Sequence, residues 1–182
     1  MNWKNTSSAW GLSSILIHWF SALIVFALFA LGLWMVELTY YDSWYTKAPN
    51  IHKSVGIILF FLTLGRIIWR YISVPPQHLE GHTIKERKAA TIVHRLLYVL
   101  LFLIMLSGYL ISTADGRAIS VFGWIDIPAT ISGIDKQEDI AGTVHFVLAI
   151  SLIGLVVLHA LGALKHHIVN KDNTLRRMLG SV

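Results

Sequence analysis

The chain has 182 residues, 55% hydrophobic and 14% charged, with a net charge of +5 and a mean hydropathy of +0.62. An ordinary soluble domain is about a quarter charged, so this composition excludes one and points to a chain folded in a bilayer. With no cysteine, disulfides, thiolate-held clusters and the C-x-x-C-H attachment motif are excluded as well.

Four apolar segments follow in chain order, at about residues 12–36, 51–69, 89–111 and 140–164. Roughly 20 helical residues at about 1.5 Å rise cover the hydrocarbon core, and each segment is near that length. The expected fold class is all-α integral membrane: a four-transmembrane-helix bundle formed by residues 1–182 as a single domain. Runs this continuous do not alternate every second residue, which excludes a β-barrel. The first run is too long for a signal-peptide core and lacks the small-residue cleavage pattern after it, so it counts as a span.

The first connection, "ELTYYDSWYTKAPN", is short and aromatic, as suits side chains anchored at the headgroup level. The second, "SVPPQHLEGHTIKERK", breaks helix at Pro75 and Pro76 and then restarts it. The third, "STADGRAISVFGWIDIPATISGIDKQED", runs for 28 residues with Gly and Pro punctuation and no evident helix, which predicts a lid over the end of the bundle. The tail "NKDNTLRRMLGSV" offers Asp172 or Asn173 as the N-cap of a short basic interfacial helix.

Charge orients the spans. The N-terminus, the 66–95 connection and the tail from Lys165 hold eleven Lys or Arg against three acids, Glu80, Glu86 and Asp172. The other two connections hold four basic residues, Lys47, Lys53, Arg117 and Lys136, against seven acids. By the positive-inside rule both termini are cytoplasmic. The +5 is thus a topology signal, and no nucleic-acid partner is expected.

Five histidines fall at span depth: His18, His52, His94, His145 and His159. An ionisable side chain inside a bilayer is costly and commonly marks function, although a lone neutral imidazole donating to a carbonyl is an ordinary core residue. The arrangement favours function. Fourteen steps separate His145 from His159, about 21 Å along a helix and within about 40° of one face. Helix two starts outside, so His52 lies level with His145. Helix one starts inside, so His18 lies level with His159.

Two imidazole couples stacked across the membrane suit two b-type haems per chain. Axial imidazoles on both iron faces give a saturated centre that exchanges electrons without binding oxygen. Gly56, Gly65, Gly108, Gly142, Gly154 and Gly162 would let a flat macrocycle or a neighbouring helix come close, helix packing being the simpler reading of any single one. A metal-ion transporter is the competing class, but bare metal sites need three or four ligands at one level, often with carboxylates. Here the acids stay in the connections, with Glu37 at an interface.

His94 begins helix three on the inner side. It could replace His18 or His159 as a ligand, or hydrogen-bond a haem propionate or quinone, and the supporting role is preferred. His166 and His167 lie where the last span leaves the membrane, as a solvated pair or a proton-accepting quinone site. His78 and His82, in a connection, are expected to be solvated.

The stretches "SILIHWFSALIVFALFALGLWM", "APNIHKSVGIILFFLTLGRIIWR", "HRLLYVLLFLIMLSGYLISTADGR", "VHFVLAISLIGLVVLHALGALKHH" and "KDNTLRRM" together resemble the bacterial cytochrome b561 family, over about residues 9–179. The resemblance implies a four-helix dihaem protein of the bacterial inner membrane, with His52 and His145 on the outer haem and His18 and His159 on the inner one. It also implies quinone chemistry near the inner haem, ubiquinone included, with His167 a candidate contact. In detail the chain is similar to the subgroup found beside periplasmic YceI-type isoprenoid-binding proteins, which suggests such a partner; a homodimer is left open. One family branch passes electrons from superoxide to ubiquinone. Lys53, Arg117 and Lys136 could gather that anion near the outer haem, whereas the net acidic outer connections argue against it.

Overall fold

The computed structural model describes residues 2–79 and 81–181. Four long helices form an antiparallel bundle: α1 (Leu12–Met35), α2 (Lys47–Ile72), α3 (Ile84–Ser112) and α4 (Gln137–Ile168). All four are long and apolar enough to cross a membrane. A two-stranded antiparallel hairpin, β1 (Ile119–Val121) and β2 (Ile125–Ile127), closes one end, and a short α5 (Thr174–Met178) lies at the other. These are called the hairpin end and the tail end below.

α1 matches the hydrocarbon stretch that announces it, whereas α2, α3 and α4 run past theirs, because local caps and breakers and not hydropathy set their ends. α2 begins four residues before the apolar run, with Pro49 in its first turn, where a missing N–H is tolerated. It stops at Ser73, just before Val74, Pro75 and Pro76. α3 begins at a capping box: the Thr83 hydroxyl accepts from Glu86 N–H while the Glu86 carboxylate accepts from Thr83 N–H. α4 carries Glu138 and Asp139 in its first turn and Lys165, His166 and His167 in its last, both favourable to the helix dipole.

The predicted lid is the hairpin. Its strands pair Ile119 with Ile127 and Val121 with Ile125, around a turn with positive φ at Phe122 (51°) and Gly123 (75°), the signature of a type I′ turn. Ser54 of α2 holds it, its Oγ accepting from Phe122 N–H and lying 3.3 Å from Ser120 O. Tyr109 Oη of α3 donates to Pro128 O, and Oγ1 of Thr113, the residue just after α3, lies 3.0 Å from Ile131 O.

Within the bundle α3 packs chiefly on α4, and α1 on α2. Among the described residues α2 also packs on α3, whereas α4 makes few close backbone approaches to α1 or α2, which leaves space between the two helix pairs on the α4 side. Beside the buried Ile15, Leu59 and Leu152, several buried helical positions are small and polar: Ser21, Ser54, Thr63 and Ser107 each donate to a carbonyl one turn back. Such residues let membrane helices approach while satisfying their own hydroxyls.

Candidate functional site

The space between the helix pairs is where the histidines meet. His52 of α2 faces His145 of α4 with ring centres 6.3 Å apart and planes at 66°. Nearer the tail end, His18 of α1 faces His159 of α4, again at 6.3 Å and 66°. The four residues expected to pair do come together, in the expected couples.

This spacing permits a test of fit. Two metal–nitrogen bonds of about 2 Å and two ring radii of about 1.15 Å put imidazole centres about 6.3 Å apart across one metal. Both couples match that value. His94 lies closer to His159, at 5.2 Å, too near for an iron between them.

The surroundings of the two couples differ. At the hairpin end, Ser107 Oγ donates to Ile104 O (2.9 Å) and lies 3.1 Å from His145 Nδ1. With its hydrogen committed, the hydroxyl accepts from Nδ1–H, which leaves Nε2 unprotonated for a metal. Two glycines back the rings: a Cβ at Gly108 would stand 3.1 Å from His145 Cε1, and one at Gly32 would stand 3.3 Å from His52 Cε1. His52 Nδ1 is buried without a hydrogen-bond partner among the described residues. At the tail end, Arg66 Nη2 lies 3.0 Å from His18 Nδ1, its guanidinium over the Tyr98 ring.

Several of these partners lie outside the sequence-level expectations. Gly32 was absent from the glycine set, and Ser107 and Arg66 carried no signal of their own. A Cβ at Gly56, Gly65, Gly142, Gly154 or Gly162 would meet nothing within 4 Å among the described residues.

A further cluster forms at the tail end. His82, expected in solvent, is 15% exposed and lies 3.1 Å from Asp172 Oδ2, while His166 Nδ1 lies 2.7 Å from the same oxygen. These two rings are 4.4 Å apart, too close to flank a haem iron. Burial pushes the Asp172 carboxyl up, but hydrogen bonds from Thr174, His166 and His82 outweigh it and hold it below the usual carboxylate range. Asn173 occupies the N-cap position of α5 while Asp172 supplies the capping bond, accepting from Thr174 N–H. His167 is half-buried and outside this cluster.

Residues 9–181 match the family model described as prokaryotic cytochrome b561. The chain is 54% identical to cytochrome b561 homolog 2 of Escherichia coli (strain K12), over 99% of this chain and 96% of that protein. It is 26% identical to cytochrome b561 homolog 1 of the same organism, over 92% and 94%. It is 30% identical to a probable superoxide oxidase, CybB, of Yersinia pestis, over 90% and 91%.

Proposed function

Because the chain belongs to the prokaryotic cytochrome b561 family, a family of multi-pass bacterial membrane proteins in electron transport, we propose that it carries electrons across the inner membrane on two haems b. Residues 1–182 act as one membrane domain, with both termini cytoplasmic as the charge count favours. Its exchange partners are a periplasmic donor or acceptor at the hairpin end and the quinone pool at the tail end.

The observation that supports this most is the equal 6.3 Å spacing of two imidazole couples on one helix. His52 and His145 would hold one haem and His18 and His159 the other. When bound, each iron supplies one-electron redox chemistry at a saturated centre. The chain's own work is to hold the rings apart at ligand spacing and to fix the His145 tautomer through Ser107. It also places the Arg66 charge beside His18. His94 supports the tail-end couple, and half-buried His167 is the candidate quinone contact. At the hairpin end the exposed Trp124 and Tyr41 suit docking of a periplasmic partner, a YceI-type isoprenoid-binding protein being the expectation.

Redox titration of the purified protein should resolve two one-electron components, both reducible by a quinol. A single component, or a preparation holding zinc without porphyrin, would reject the proposal.

A second reading, superoxide:quinone oxidoreductase, rests on the Yersinia relative's name. Of the three cations that could gather superoxide, Arg117 is already engaged, its Nε donating to Asp115 Oδ2 at 2.6 Å. Stopped-flow mixing with superoxide decides it: a salt-sensitive rate well above spontaneous dismutation supports the reading, and a rate equal to dismutation removes it.

A further inference from the structure

Three side chains of metal-ligand type meet at the tail end, apart from both imidazole couples and from three separate stretches of chain. His82 precedes α3, His166 sits in the last turn of α4 and Asp172 lies in the turn before α5. We propose that they bind one zinc-class divalent cation.

Both rings aim a nitrogen at one oxygen. His82 Nε2 and His166 Nδ1 lie 3.1 and 2.7 Å from Asp172 Oδ2, and the three ligand atoms all fall within 4.8 Å of one another. Ligands around a tetrahedral zinc at about 2.1 Å stand about 3.4 Å apart, so both nitrogen–oxygen separations would open by less than about 1 Å to admit the ion. All three side chains are 15% exposed, sheltered yet reachable from water.

The supporting contacts favour a built site. Thr174 N–H donates to Asp172 Oδ1 at 2.8 Å, which fixes the carboxylate and leaves Oδ2 to face the imidazoles, the outer-partner arrangement that orients metal ligands. Lys171 adopts a left-handed φ of 55° and turns the chain back, so that Asp172 N–H donates to His166 O at 3.1 Å. Lys165, beside His166, has its charge paired with Glu86 at 2.5 Å. Two neutral imidazoles and one carboxylate suit a borderline cation such as zinc, with a fourth position open to water.

The ion would tie the start of α3, the end of α4 and α5 together. On its other side α5 is already held to α1, where Trp19 Nε1 donates to Met178 O at 2.7 Å. The cation therefore locks the tail over the His18 end of the bundle, whether or not both haems are present.

The test uses tag-free protein as purified, stripped with a chelator, incubated with micromolar zinc chloride and desalted before metal analysis. One zinc per chain is expected, with a rise in melting temperature on zinc addition. His82→Ala and Asp172→Asn should each weaken retention about 100-fold or more, while His78→Ala, at an exposed loop histidine, keeps it. Visible absorbance, set by residues outside the cluster, checks that each variant is folded. X-ray absorption at the zinc edge should show two imidazoles in the first shell. No zinc on the wild-type protein, equal retention in His82→Ala and Asp172→Asn, or an all-oxygen shell would overturn the proposal.

Discussion

The two imidazole couples share one geometry and differ in what stands behind it. Each spans 6.3 Å with planes at 66°. At the hairpin end the His145 ring rests on Gly108 and gives its Nδ1–H to a serine. At the tail end His18 meets a guanidinium and His159 meets a third imidazole. An acceptor on Nδ1–H makes the imidazole a stronger donor to metal and favours the oxidised iron, whereas a nearby cation favours the reduced one. On the proposed ligation, two centres with the same ligands would therefore hold unequal potentials. The tail-end centre is expected to be the higher of the two, which makes electron flow from the hairpin end to the tail end downhill.

Arg66 sharpens this contrast. A guanidinium only donates, so His18 Nδ1 accepts and the neutral ring carries its proton on Nε2. Ligation through Nε2 would move that proton to Nδ1 and break the Arg66 hydrogen bond, leaving the guanidinium to act as a nearby charge. Replacing it should give the largest shift. Arg66→Gln is expected to lower the tail-end potential by on the order of 50 mV, from loss of a nearby charge in a partly buried site, leaving the hairpin-end potential in place. Equal movement of both potentials would erase the proposed difference.

Gly108→Ala should act on the other couple. Its Cβ would lie 3.1 Å from His145 Cε1, so the ring must shift by a few tenths of an ångström, at a cost of about 1 kcal/mol. The hairpin-end potential and spectrum should change, with a lower melting temperature and an unaltered tail end. Ser107→Ala is the mildest change. Losing the acceptor for His145 Nδ1–H weakens the ligand and should raise the hairpin-end potential by on the order of 20 mV, the scale of one neutral hydrogen bond. A fall, or a shift at the tail end, would contradict the roles drawn from the geometry.

Spans and couples were legible because hydropathy and the helical period depend on local sequence alone. The partners of the imidazoles depend on how helices rotate against one another, which no local pattern encodes. Gly32 matters only because α1 presents it to His52. Arg66 falls within the second apolar run and counts there only as a topology charge, yet α2 turns it toward His18. The hairpin was hidden for a different reason: Phe122 occupies a left-handed position usually given to Asn or Gly. The Thr83 and Glu86 capping box was in plain sight, but it sits in a charged stretch outside the apolar run. His82 and Asp172 meet across 90 residues, a contact only the fold can make.

Haem content per chain is the most direct test of the central claim that four imidazoles act as two independent couples. Pyridine haemochrome analysis should give two haems b for the wild-type protein and one for His145→Ala, the survivor retaining the potential of the tail-end centre. One haem in the wild-type protein, or loss of both in His145→Ala with the fold intact, would contradict the account.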